Sequence, residues 1–317
     1  HMYLSSFSLV EPEDKFYFYQ PSWLNAWEAH LFNKALKSTH ANGWGLKRFG
    51  TQPDLYPGEM IRNPHYQKYL EAMEKAADDA LMALPTKERM KLLKQRTAFI
   101  YVDSWGESGP FENISSALHI STIDTLPKNL VKKFSVNAPT FKLRSEKQSF
   151  VQAIALANDY LSWDVFDFVV ICTAYLAIPI LVFSDEYISL KWGEKRRDKA
   201  EDVNLTVERA GCFIFSQQES AIRVKGGQYV MADAIEHTQV PEQIAFSGLR
   251  KDLLSRSALP ANNTLDLVDL YGASGCLTPA LSFAWLKQHA DFSGRLRTIV
   301  PDKQFGYSYF DIEYCKE

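Results

Sequence analysis

Hydrophobic and polar positions along the chain follow strand-like spacing in some segments and helix-like spacing in others. The opening MYLSSFSLV alternates with a period of two, which is typical of a strand. Further on, Leu70, Met73 and Ala77 recur at helical spacing, behind Asn63 as a cap and Pro64 in the first turn. This predicts a long helix with one buried face. A second, basic helix in TKERMKLLKQR then leads into the strand TAFIYV.

The same rhythm continues to the middle of the chain. A glycine-bearing loop, DSWGESGP, precedes a predicted helix in FENISSALHI, and SEKQSFVQAIALANDYL predicts another helix ahead of the buried strand DFVVIC. Strands and helices in this alternation indicate a covered α/β sheet. The apolar run 168–183 has sixteen residues, is interrupted by Pro179 and is short of a membrane span. We expect two buried strands joined by a tight bend there, and no membrane insertion.

The charged stretch KWGEKRRDKAED divides the chain near its middle and predicts a solvated linker. Beyond it, RAGCFIF and QYVMADAIEH predict strands. YGASGCLTPALSFAWLKQ predicts a small-residue loop that feeds a helix, and RTIV and FGYSYFDIEY predict the closing strands. We therefore expect two layered α/β units, at residues 3–190 and 203–317.

Composition narrows the class of protein. With 317 residues, 46% hydrophobic and 23% charged, the chain can bury a sizeable core, as one large domain or two fused halves. A net charge of −3 gives no electrostatic footprint for nucleic acid or an anionic membrane. Cys172, Cys212, Cys276 and Cys315 show no CxxC pairing, so neither a metal site nor a disulfide framework is predicted. Together with the lack of a visible signal peptide, this predicts a cytoplasmic protein with reduced thiols.

Six segments, in order, resemble the thiolase-fold β-ketoacyl synthases. They are RNPHYQKYLEAMEKAADDAL, RTAFIYVDSWGESGP, QSFVQAIALANDYLSWDVFDFVVIC, VERAGCFIFSQQESAI, YGASGCLTPALSFAWL and QFGYSYFDIEY. Each segment is degenerate, and the resemblance is carried by their order over most of the chain. It implies a five-layer αβαβα sandwich of two related halves, a dimer, and no cofactor.

The catalytic groups that the resemblance implies are missing from the sequence. Condensing enzymes use a thiolate at a helix N-terminus, where the helix dipole favours the anion. Counting back from Ala153 places the nucleophile at Lys147, within one residue. Glu146, Lys147 and Gln148 occupy that window, none can form a thioester, and no cysteine precedes Cys172.

The two catalytic histidines of the family are missing as well. The resemblance places both between His237 and His289, and no histidine lies between these two residues. Such a chain resembles a chain length factor of a type II polyketide or aryl-polyene synthase. That implies a catalytically inactive subunit that pairs with an active β-ketoacyl-ACP synthase and shapes its acyl tunnel. The alternatives are a divergent acyltransferase with Cys276 at a helix start as its nucleophile, and a homodimeric scaffold that binds a carrier protein.

Two surfaces are candidates for contact with these partners. In ketosynthase dimers the helix after the glycine loop lies at the subunit interface, where bulky residues would limit the length of the growing chain. The candidates for this tunnel wall, or for plain interface core, are Phe111, Ile114 and Leu118. The basic helix is a candidate contact for an acidic acyl carrier protein, or simply a solvated face, through Lys87, Arg89, Lys91, Lys94 and Arg96. Ser108 and Ser274 lie in GESG and GASG, which do not satisfy the hydrolase pattern G-x-S-x-G.

Overall fold

The computed structural model describes residues 1–13, 17–21, 26–49, 64–104, 128–134, 141–143, 146–184, 203–231, 241, 243–248, 264–302 and 306–315. The strands are β1 (Tyr3–Val10), β2 (Tyr17–Phe18), β3 (Gly43–Lys47), β4 (Thr97–Ser104), β5 (Phe141–Leu143), β6 (Phe168–Tyr175), β7 (Val203–Val207), β8 (Arg209–Ser216), β9 (Ile222–Gly226), β10 (Gln243–Phe246), β11 (Thr264–Asp266), β12 (Gly294–Pro301) and β13 (Tyr307–Tyr314). The α-helices are α1 (Ala26–Thr39), α2 (Pro64–Ala83), α3 (Thr86–Lys94), α4 (Lys128–Lys132), α5 (Ser149–Ser162), α6 (Leu267–Tyr271) and α7 (Leu281–Gln288). Two 3-10 turns, Glu146–Gln148 and Gly275–Ala280, lead directly into α5 and α7.

Ten of the strands form one sheet, in the order β11-β10-β12-β13-β9-β1-β8-β6-β4-β5. This sheet divides into two five-stranded units that meet through the single pair Tyr3 and Arg223 of β1 and β9. The five strands of each unit are counted here in the order in which they occur along the chain. In both units the fifth strand lies between the first and the fourth and is antiparallel to both, and the remaining pairs are parallel. The same strand order and directions occur twice, so the prediction of two related halves is confirmed.

The boundary between the halves differs from the predicted one. Strand β8 lies inside the N-terminal sheet, between β1 and β6, and β7 precedes it in a separate three-stranded sheet with β2 and β3. The boundary therefore lies at residues 217–221, after β8, and not at the charged stretch near residue 190. The charged stretch itself lies outside the described residues.

Layers of helices and sheets alternate through the described part of the chain. Helix α2 packs on the outer face of the N-terminal sheet against β1, β8 and β6. Helix α5 lies between the two sheets and contacts β4 and β6 on one side and β9 and β13 on the other. The interior that α5 shares with α7 contains a row of four aromatic rings, Phe150, Phe213, Phe283 and Phe310. The centroids of neighbouring rings in this row lie 5.0–5.7 Å apart. Burial of these large aromatic rings is the main source of stability in such an interior.

Most of the predicted elements that fall on described residues are confirmed, and one is wrong. The run 168–183 supplies only one strand, β6, because residues 179–184 are helical and Pro179 takes the first helical position, which its fixed φ favours. Of the segment QYVMADAIEH only residues 228–231 are described, and Val230 makes an isolated bridge with Tyr307 there. The remaining residues lie outside the described part of the chain, so this strand stays a prediction. Helix α1 and the three-stranded sheet were not predicted. None of the described helices is both long and apolar enough to cross a membrane.

Candidate functional site

The starts of the two central helices lie against each other. The turns Glu146–Gln148 and Gly275–Ala280, which open α5 and α7, are in direct contact. Thr173 Oγ1 on β6 lies 3.9 Å from Cys276 Sγ in the second turn. Gln148 Nε2 lies 3.5 Å from the carbonyl oxygens of Val300 and Pro301, where β12 ends. We call this meeting point the helix-start site; both halves of the fold contribute to it.

The window predicted for the lost nucleophile falls at the helix-start site. Lys147 and Gln148 are half-buried, and Gln148 is the residue that immediately precedes α5. Its Oε1 atom is buried and makes no hydrogen bond with any described residue. Ser149, the first residue of the helix, is fully buried. The start of α5 therefore presents a carboxamide, which cannot carry an acyl thioester.

Three of the four thiols are buried in the core. Cys276 is 1% exposed and belongs to the interior between the sheets. Cys172 and Cys212 lie opposite each other on β6 and β8, and burial, together with the hydrogen bond that the Cys172 thiol makes to Cys212, raises the pKa of Cys172. Cys315 is exposed near the chain end. Within the described part of the chain, no cluster of cysteine, histidine and acidic residues has the arrangement of a metal site.

Glu208 ties together three loops at the carboxyl edge of the N-terminal sheet. One carboxylate oxygen accepts from the backbone N–H of Phe49 at 2.8 Å, and the other from that of Ala177 at 2.8 Å. The guanidinium of Arg48 lies 3.5 Å from the second oxygen, and both charged side chains are buried. A buried carboxylate is stable only when it is paired and hydrogen-bonded in this way.

Arg209 fixes the loop that leads to the second central helix. Its guanidinium donates to Gly272 O at 3.2 Å, to Ser274 Oγ at 2.5 Å and to the carbonyl oxygen of Tyr271. It also forms an ion pair with Glu11 at 2.9 Å. Burial lowers the pKa of Arg209, and the Glu11 carboxylate opposes that shift. Ser274 is fully buried and donates to Val207 O, so its hydroxyl has a structural role.

Sequence reasoning missed this pair of charged residues, although a signal for them was present. Glu208 directly precedes β8, and Arg209 is its first residue. All eight residues of β8 are buried. Charged side chains are almost never fully buried unless they are paired. A Glu-Arg dipeptide at the start of an entirely apolar strand therefore indicates a buried ion network, and both residues belong to one.

The basic helix lies at the end of the sheet opposite the helix-start site. Helix α3 ends three residues before β4 begins, whereas α5 starts beyond the carboxyl ends of β4 and β5. The eight residues of β4 separate these two edges by about 26 Å. Lys87, Lys91 and Lys94 are exposed there. Arg89 donates to Met82 Sδ and Thr86 Oγ1.

The proposed tunnel-wall residues Phe111, Ile114 and Leu118 lie outside the described residues, as does Ser108. The side chain of Glu146 also lies outside them, although its backbone is part of the turn before α5. Their predicted roles therefore stay predictions.

Comparisons with known proteins find similarity in structure only. No protein-family model matches the sequence, and no curated protein matches it. Among solved structures, a histidine-to-asparagine variant of OleA from Xanthomonas campestris with cerulenin has a TM-score of 0.59 and 10% identity, covering 99% of this chain and 96% of that one. The 3-oxoacyl-(acyl carrier protein) synthase III, FabH, from Xanthomonas oryzae pv. oryzae has a TM-score of 0.56 and 9% identity, covering 99% and 98%. With the repeated half-sheets and the paired central helices, these matches show that the chain has the thiolase fold.

Proposed function

We propose that the chain is a catalytically inactive, ketosynthase-like subunit of the chain-length-factor type. In this role it pairs with an active β-ketoacyl-ACP synthase and shapes the tunnel for the growing acyl chain. The observation that carries the proposal is the start of α5, where Gln148 stands ahead of the helix and Ser149 is fully buried. A helix N-terminus favours an anionic nucleophile, but a carboxamide is neither anionic nor nucleophilic.

The structural neighbours support the general theme of this proposal. FabH is named as a 3-oxoacyl-(acyl carrier protein) synthase, and OleA structures contain cerulenin. Both matches cover 99% of this chain, so the layered scaffold extends over nearly the whole sequence. A scaffold kept without its nucleophile fits a subunit that contributes an interface and a wall.

An open sheet edge supports pairing with a second subunit. Strand β5 ends the ten-stranded sheet and pairs with β4 on one side only among the described strands. An unpaired edge is a template for a strand from another chain. Residues 105–127, which include Phe111, Ile114 and Leu118, lie between β4 and β5 in the chain. We propose that these three residues face the acyl tunnel from that interface.

Co-purification from the native host is the experiment that tests the proposal. The tagged chain is isolated, and mass spectrometry identifies what elutes with it and in what ratio. A stoichiometric partner with a ketosynthase cysteine and two histidines is the expected result. A homodimer without such a partner would contradict the proposal and would favour a scaffold that binds a carrier protein.

The alternative acyltransferase requires an accessible nucleophile at Cys276. The thiol lies at the start of the second central helix, where the dipole would favour a thiolate, yet its residue is only 1% exposed. An acyl thioester can reach it only if the interior opens. Incubation with a labelled acyl thioester, followed by peptide mapping, distinguishes the two functions, because the inactive subunit acquires no adduct on Cys276.

A further inference from the structure

Two thiols face each other inside the N-terminal sheet. Cys172 on β6 and Cys212 on β8 are directly opposite in the antiparallel register of these strands. Residues opposite each other in an antiparallel pair have Cα atoms about 4.5–5.5 Å apart. A disulfide joins residues whose Cα atoms are about 4.4–6.8 Å apart. The two strands therefore already have the spacing that a disulfide between them requires.

The side chains of the two cysteines point to the same side of the sheet. Both belong to the cluster on its outer face, together with the buried alanines of α2. The Cys172 thiol makes a hydrogen bond to Cys212, so the two sulfur atoms are in contact. Both residues are buried. A bond between the sulfurs therefore needs a rotation of the two side chains rather than a movement of the strands.

The positions of the other two cysteines exclude them from this pairing. Successive residues of a strand point to opposite faces of the sheet, so Thr173 points to the inner face. Its Oγ1 lies 3.9 Å from the sulfur of Cys276, which belongs to the interior between the two sheets. Cys315 is exposed after the last strand. Among the four cysteines, the fold therefore selects the pair on β6 and β8.

We propose that Cys172 and Cys212 form a redox site, at which hydrogen peroxide converts the two thiols into a disulfide that ties β6 to β8. The sulfur of one cysteine attacks a peroxide oxygen, the O–O bond breaks, and a sulfenic acid and one water form. The sulfur of the other cysteine then attacks the sulfenic sulfur, the S–O bond breaks, and a second water leaves. Two electrons pass from the sulfurs to the peroxide, so two thiols and one hydrogen peroxide give one disulfide and two waters.

Opening of the outer helical layer controls this reaction. Helix α2 packs against β8 and β6 on the face that carries the thiols. Burial also raises the pKa of Cys172, and a neutral thiol is a poor nucleophile. The pair therefore stays reduced while α2 is in place, and it reacts when this layer opens locally.

The disulfide would stabilise the fold. It closes the segment from β6 to β8, which includes β7 and Glu208, into a covalent loop, and such a loop restricts the unfolded chain. The site is independent of the proposed subunit function, because it lies on the outer face of the sheet and the helix-start site lies on the inner face. It gives the chain a stability that depends on the surrounding oxidants.

Peptide mapping of the natural chain tests the site without any substitution. The full chain is purified with a reductant, freed of it, incubated with hydrogen peroxide, then unfolded in N-ethylmaleimide and digested with trypsin. Cleavage after lysine and arginine leaves Cys172 in the peptide 148–191 and Cys212 in the peptide 210–223, each with no other cysteine. We expect these two peptides to be joined by a bond that dithiothreitol cleaves. Oxidised thiols without this bond, or disulfides of Cys315 alone, would overturn the proposal.

Alanine variants separate the pair from the other thiols. In Cys315→Ala, which lacks the exposed thiol, peroxide should raise the midpoint of thermal unfolding by about 3–6 °C, and dithiothreitol should reverse the shift. Adding Cys212→Ala should abolish the shift, whereas adding Cys276→Ala, at an equally buried position, should not. Urea below the unfolding transition should speed the oxidation, because it favours the open layer. A midpoint that the disulfide leaves unchanged, or an equal loss of the shift in both double variants, would contradict the proposal.

Discussion

Glu208 is a buried carboxylate whose two oxygens accept backbone N–H groups from separate loops, with Arg48 beside them. Glu208→Gln keeps the shape of the side chain but turns one acceptor into a donor and leaves Arg48 without its counter-charge. We expect the free energy of unfolding in urea to fall by about 3–5 kcal/mol. Glu219→Gln, in an exposed turn, is the control, with an expected change below about 0.5 kcal/mol. Equal losses in both variants would show that the buried pair contributes no specific stability.

The four cysteines differ in exposure, which predicts their reactivity. Cys172, Cys212 and Cys276 are buried, and Cys315 is exposed. With a thiol reagent such as DTNB near neutral pH, the native chain should react rapidly at one thiol, and the unfolded chain at four. Peptide mapping should identify the rapid site as Cys315. Rapid reaction at Cys276 in the native chain would instead favour the acyltransferase alternative.

The pKa of Cys172 gives stability a dependence on pH. Burial raises this pKa in the folded chain, whereas the thiol of the unfolded chain titrates near its ordinary value of about 8.5. Above that pH the unfolded chain binds fewer protons than the folded one, so stability falls as pH rises. Urea midpoints between about pH 8 and 10 should decline more steeply for the natural chain than for Cys172→Ala. Parallel declines in the two proteins would mean that other groups cause the whole effect.

At the scale of the element, the loop before the second central helix depends on one glycine. Gly272 has a φ of +83°, and an added Cβ would lie 2.8 Å from Val207 Cγ2. Gly294 also has a positive φ, +136°, but a Cβ added there would meet no atom within 4 Å. Both alanine variants strain the backbone, but only Gly272→Ala also forces the loop away from β7. We expect it to cost about 1–3 kcal/mol more in thermal or urea unfolding than Gly294→Ala. A larger loss in the control would contradict this account.

The elements show which features the sequence could predict. Helices α2 and α5 have long apolar stripes at helical spacing, and β1, β4, β6, β8, β12 and β13 lie in clear apolar runs, so periodicity predicted them. Strand β3 was missed because the glycine-rich segment GWGLK carries no clear period. Helix α1 was missed although its buried residues Leu31, Phe32, Ala35 and Ser38 recur at helical spacing. The position of Gln148 followed from counting along α5. The Glu208–Arg209 network did not, since its partners Glu11, Phe49 and Gly272 are far away in sequence.

At the scale of the whole molecule, the two halves repeat one topology but share one interior. Helix α5 of the first half contacts β9 and β13 of the second, and Gly226 on β9 is close enough to α5 that an added Cβ would lie 3.0 Å from Ala155 Cα. The aromatic rings of Phe213, Phe283 and Phe310 also cross the boundary. The repeat therefore does not imply two independent domains, since each sheet is covered on its inner face by the other half.

Splitting the chain at the boundary tests this shared interior. Fragments 1–218 and 219–317, expressed separately, should show no cooperative unfolding by circular dichroism, because each would expose the interior face of its sheet to water. Expressed together, they should assemble in a 1:1 complex that unfolds cooperatively. A cut between residues 290 and 291 is the control: it separates β12 from β10 within one sheet, and those fragments should not assemble. Cooperative unfolding of either half alone would show that the repeated unit is itself a folding unit, and that the contacts across the boundary are docking contacts between two domains.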